Sequence, residues 1–179
     1  MNKPHNTADM VLHPVRLGII QGLLGGRRLT TAQIAEELPE VTPATLYRHI
    51  STLTQAGILE VVGQQRIRGA VERTYALRLE ASELSPGELN SMTEEQHRQA
   101  FTAFVAGVLR NFDRYVEEAD GVDLVRDGVG YRQTAVWLTD EEFGKLAEGF
   151  RSAILPYADN PASPERTRRL ISMIVMPSA

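Results

Sequence analysis

The chain has 179 residues, 42% of them apolar, which is enough for one ordinary domain or two small ones with a buried core. It has no cysteine, which excludes disulfides, zinc-thiolate sites, iron-sulfur clusters and a cysteine nucleophile. The first nine residues are polar, without the apolar stretch of an export signal, and no run approaches the roughly 18 apolar residues of a membrane span, so a cytoplasmic location without membrane contact is expected.

The net charge of −4 averages two unlike halves. Residues 1–80 carry 9 basic against 7 acidic side chains, whereas residues 81–179 carry 10 against 16. What matters for a polyanionic partner is where the cations sit, and the first half groups its arginines in short clusters.

Residues 1–9 read as a disordered tail. Pro14 to Leu24 form a first helix, with Leu17, Ile20 and Leu24 on one face, ended by Gly25-Gly26. Thr30 and Gln33 make a capping box for a short second helix to Leu38. Thr42-Pro43 opens a third helix to about Ala56, stopped by Gly57, with Leu46, Ile50 and Leu53 as its apolar stripe.

The other face of that third helix presents Thr42, Ala44, Thr45, Tyr47, Arg48, His49 and Thr52. Small residues near the amino end let the backbone approach a duplex, Arg48 can bond guanine O6 and N7, and Thr45 or Tyr47 can reach phosphates. A plain solvated face fits the same residues.

Ile58–Val62 reads as a strand, Gly63–Ala70 as a basic loop, and Val71–Leu79 as a second, alternating strand. Three helices followed by a basic hairpin make a winged helix. Arg66 and Arg68 at the hairpin tip suit the phosphate backbone or an adjacent minor groove.

The runs His13–Leu17, Leu29–Ala35 and Thr42–Leu59 together resemble the winged helix-turn-helix of ArsR-type transcriptional regulators, over about residues 10–80. The Leu46-Tyr47-Arg48 triplet is also similar to PadR-type regulators. The resemblance implies that Pro43–Ala56 is a recognition helix, that Thr45, Arg48 and His49 face double-stranded DNA, that Arg66 and Arg68 belong to the wing, and that the outcome is repression. The chain departs from the metal-sensing members. It has no cysteine, and His5, His13, His49 and His97 show no ligand spacing, so neither a metal nor a cofactor is expected.

Residues 81–91, containing Pro86-Gly87, read as a linker. Thr93 with Gln96 caps a long helix to about Ala119, roughly 40 Å at 1.5 Å per residue, whose seam of Phe101, Val105, Val108, Phe112 and Tyr115 suits a homodimer. Tyr131–Leu138 and Leu170–Met176 read as strands around a helix that starts with the Thr139–Glu142 capping box and carries Phe143, Leu146, Ala147, Phe150 and Ile154 on its apolar face. Tyr131, Trp137, Phe143 and Met173 are candidates to line a pocket for an unknown small-molecule effector, and the same residues serve equally as core.

The acid pairs Glu94-Glu95, Glu117-Glu118 and Glu141-Glu142 fall at helix starts or on exposed faces, and no nucleophile elbow, P-loop or dinucleotide fingerprint occurs, so no enzyme is expected. The expected fold class is mainly α with small β (α+β). A winged helix-turn-helix DNA-binding domain spans 10–80, a linker 81–91, and a dimerisation and effector region 92–179 built from the long helix and a small α/β unit. The function that follows is a dimeric, sequence-specific transcriptional regulator, most simply a repressor on an inverted repeat. The alternative is a winged helix used only for protein contacts.

Overall fold

The computed structural model describes residues 10–67, 69–82, 84–118, 121–158 and 160–178. The expected tail at 1–9, with His5, lies outside the described residues, as do Arg68 and Ala119. The chain divides into two compact units, Met1–Asn111 and Phe112–Ala179.

In the first unit the helices form where the capping signals place them. Helix α1 spans Pro14–Leu23, with His13 as its N-cap. Strand β1 is Leu29–Thr30, and helix α2, Thr31–Glu37, starts from the reciprocal Thr30–Gln33 capping box. Helix α3 spans Pro43–Gln55. It ends because Gly57 takes φ +75, a conformation that costs glycine nothing, which lets the Ile58 N–H return to the Leu53 carbonyl at 3.0 Å. The Thr42 hydroxyl makes no capping bond; it donates to the Thr45 hydroxyl at 3.0 Å instead.

Strands β2 (Leu59–Ile67) and β3 (Ala70–Leu77) form one antiparallel hairpin, and β1 pairs with β3, giving the sheet order β1-β3-β2. The hairpin is longer than the sequence suggested. Gly63 to Ile67 are paired strand rather than loop, with Arg66 opposite Val71 and Ile67 opposite Ala70. Ladder bonds belong to the backbone, so the polar run Gln64-Gln65-Arg66 does not prevent them. A register irregularity between Val61 and Gly63 separates a packed base, where Tyr75 is buried, from an exposed tip.

Among the described residues the buried hydrophobic core lies in this unit. Ile19, Ile20 and Leu23 of α1, Ile34 of α2, and Leu46, Ile50 and Leu53 of α3 meet Leu29, Leu59 and Tyr75 of the sheet and Ile58 just before it. The 81–91 stretch is not irregular linker: it holds helices α4 (Leu79–Ser82) and α5 (Pro86–Asn90), the latter begun by a Ser85–Glu88 capping box, and Ala81 and Leu84 pack on the core.

Helix α6 runs Glu94–Glu118 from the Thr93–Gln96 capping pair. Within the first unit Gly107 is buried beside the end of the Gln21 side chain, which would have to move to admit a Cβ there. Arg110 bonds Glu40 at 3.2 Å. No helix among the described residues is long and apolar enough to cross a membrane.

The second unit corrects the expected α/β arrangement. Helix α7 (Asp140–Ile154) forms as its Thr139–Glu142 capping box predicts, and a 3-10 turn, Leu155–Tyr157, follows it. Neither Tyr131–Leu138 nor Leu170–Met176 is a strand in the single chain. A strand is defined by a partner's backbone, and neither segment has one among the described residues. Side-chain bonds hold the start of the unit. The Tyr115 hydroxyl donates to Asp127 at 2.8 Å, Arg126 bonds the same carboxylate at 2.9 Å, and Arg169 donates to the Asp127 carbonyl. Arg126 and the Tyr115 hydroxyl together hold the Asp127 carboxyl below its ordinary pKa.

Candidate nucleic-acid interface

Helix α3 is the most amphipathic element of the first unit in its burial. Leu46, Ile50 and Leu53 are buried to 2% exposure or less, which fixes the helix rotationally and turns its opposite side out. Ala44, Tyr47 and Arg48 are exposed there, and Thr45 and Thr52 are half-buried at the margins. Thr42 is exposed at the N-cap. The same side carries Ser51 and Gln55, which the sequence reading passed over although they continue the spacing of three and four from Arg48. Gln55 donates to the Ser51 hydroxyl at 3.4 Å.

His49 does not belong to that surface. It is 6% exposed and turned inward, its ring 4.4 Å from the ring of His13. The correction has a simple geometric cause: position 49 is three residues from Leu46 and four from Leu53, inside the apolar stripe. The His49 Nδ1 is buried and meets no partner among the described residues, whereas the His13 Nδ1 accepts from the Val15 N–H at 3.2 Å. Burial, with the charges of His13, Arg16 and Arg48 beside it, pushes the His49 pKa down to about 4. Burial, Arg16 and Arg48 lower His13 as well.

This buried imidazole makes stability depend on pH in a definite direction. His49 is neutral in the folded chain but titrates at its ordinary 6.5 when unfolded, so the unfolded state binds the extra proton between those values. Stability is complete above about pH 6.5 and falls as the solution is acidified towards 4. A loss of about 1 to 2 kcal/mol between pH 7 and 5 is expected in chemical denaturation curves. The variant His49→Phe should flatten most of that slope; an equally steep profile in the variant would show that other groups carry it.

On the hairpin, Arg66 is exposed near the tip. Arg73, opposite Gln64, is exposed on the same face two pairs along and extends the basic edge. Its place on the strand face that also carries Tyr75 hid it from a reading that sought cations only in the loop. Two other arginines of the unit have structural ties. Arg27 bonds Glu37 at 2.8 Å and the Gly22 carbonyl at 2.7 Å, and Arg78 bonds Glu60 at 3.0 Å.

The expected dimer seam on α6 divides. Phe101 and Val105 are 45% and 42% exposed, and Val108 is half-buried. Phe112 and Tyr115 are engaged within the second unit: Phe112 meets Tyr131 edge-on at 6.3 Å, and Tyr115 bonds Asp127. The proposed pocket residues are not gathered into a cavity. Trp137 is 101% exposed, and Tyr131, Phe143 and Met173 are also open to solvent. An open groove of about 380 Å³ lies elsewhere, in the first unit, lined by Val15, Leu38, Val41, Thr45, Ala103 and Ala106. No cluster of three or more metal-ligating side chains occurs among the described residues.

Comparison with known proteins bears on the first unit. Residues 11–62, from the approach to α1 through the first part of β2, match a family described as a helix-turn-helix domain. No curated protein matches the chain. Among solved structures, a protein with a GntR superfamily winged-helix-turn-helix domain from Halomicrobium mukohataei aligns with 81% of this chain and 98% of its own, at 18% identity and a TM-score of 0.40. With helices α1 to α3 and the three-stranded antiparallel sheet, residues 14–77 of the first unit form a winged helix-turn-helix of α+β type.

Proposed function

We propose that this chain is a sequence-specific DNA-binding transcriptional regulator that acts as a homodimer on an inverted repeat and represses by occupying its site. The observation that carries the reading is the outward stripe of α3. Ala44, Tyr47, Arg48, Ser51 and Gln55 form a continuous polar surface on a helix locked into the core along its other side, within a helix-turn-helix domain. A small residue at the amino end followed by a long cation one turn later suits a helix entering the major groove, and the exposed arginines of the hairpin suit the flanking phosphates. The apolar residues left open on α6, Phe101 and Val105, support pairing of two copies.

Selection of the purified protein on random duplex DNA at near-physiological salt tests the proposal. Enrichment of an inverted repeat with half-site centres about 10 to 10.5 base pairs apart, or a multiple of that, is the expected result. A folded protein that enriches no sequence would sink the regulator reading and leave the winged helix as a protein-contact module.

A further inference from the structure

Among the described residues the thirteen buried hydrophobic side chains lie between Val11 and Tyr75, and none of the second unit is buried. Yet this unit is far from polar. Trp137, Leu138, Phe143, Leu146, Phe150 and Ile154 all stand open, as do the apolar residues of Leu170–Met176.

The pieces left open are those of a layered unit. The polar side of α7 is internally satisfied, with Lys145 bonding Glu141 at 2.6 Å, and its apolar side is uncovered. Tyr131–Leu138 and Leu170–Met176 have no strand pairing among the described residues. Six of the seven residues in Leu170–Met176 are apolar, so both faces of that segment need cover. Among the described residues of the second unit the only α-helices are α7 and the end of α6, whose Phe112 meets Tyr131.

We propose that a second copy of this chain supplies the missing cover, so that the region 131–178 acquires a core only in the dimer, its two apolar segments pairing and packing against those of the partner. The proposal rests on the dimeric reading above and names the surface that makes the dimer obligate. A second copy is favoured over a foreign protein because this surface holds both complementary parts, an apolar helix face and apolar segments without strand partners, as a two-fold interface requires. Residues 121–179 carry seven basic and eight acidic side chains, so no strong single-sign field repels a second copy or calls for an oppositely charged partner.

Trp137 is the sole tryptophan, and its emission reports directly on whether this surface is covered. The full chain is measured by analytical ultracentrifugation and by fluorescence over the same dilution series. The expected result is a dimer with blue-shifted emission that moves to the red in step with dissociation. Ile174→Asp should raise the dissociation constant by about a hundredfold or more and redden the emission at concentrations where the parent chain is dimeric. A dimer whose indole emits as in water overturns this proposal and leaves the dimeric reading standing. A monomer overturns both, and one with blue-shifted emission shows that the segments close on their own chain. Emission that stays blue-shifted through dissociation also overturns the proposal.

Discussion

Leu46→Ala should destabilise the first unit by about 2 to 5 kcal/mol, read as a lower denaturation midpoint. Leu46 is 0% exposed near the start of α3, and truncation there removes buried methyl groups from a core in which Leu23 and Leu53 are equally enclosed. Against a typical domain stability of about 5 to 15 kcal/mol the loss is large. The adjacent residue provides the contrast. Tyr47 is 60% exposed, and Tyr47→Ala should change stability by no more than about 0.5 kcal/mol while it removes a side chain from the proposed DNA surface. The pair therefore reports the rotational setting of α3. If Leu46→Ala unfolds like the parent and Tyr47→Ala is the damaging change, the helix is turned the other way and the assigned surface is wrong.

The parts of this structure that were legible in the sequence are those decided by neighbours along the chain. Thr30 with Gln33, Thr93 with Gln96, and Thr139 with Glu142 each form the reciprocal bonds their spacing implies, since capping needs only four consecutive residues. The same rule contained Ser85 with Glu88, and Pro86-Gly87 obscured it, although proline is well suited to the first turn it occupies. His49 was misplaced for a related reason. Its polarity argued for the surface, but its spacing from Leu46 and Leu53 already placed it among the buried positions. The second unit fails differently. The apolar patterns of Tyr131–Leu138 and Leu170–Met176 express a demand for cover, and whether that demand becomes a strand depends on a backbone edge that no local pattern specifies. Sequence periodicity thus marked the apolar faces and could not say what meets them.

Arg48→Ala and the wing substitutions should separate two kinds of DNA contact. Arg48 is exposed on α3 and proposed to read a base edge, so its loss should weaken binding to the selected site by about 1 to 3 kcal/mol, roughly 5- to 150-fold, with little change on scrambled DNA. Arg66→Ala together with Arg68→Ala should instead weaken binding to every sequence alike and flatten the dependence of log affinity on log salt by up to about two units, about 0.9 for each phosphate no longer neutralised. Neither Arg48 nor Arg66 belongs to the buried core, so the Arg48→Ala variant should melt with the parent and its loss of binding can be assigned to the surface. If Arg48→Ala weakens selected and scrambled DNA equally, its role is at a phosphate and α3 is not the reading element. An unchanged salt slope in the wing variant would place the hairpin away from the duplex. Parallel shifts in both experiments would describe a general polyanion surface, and the specificity of this protein would then have to come from DNA shape rather than from base edges.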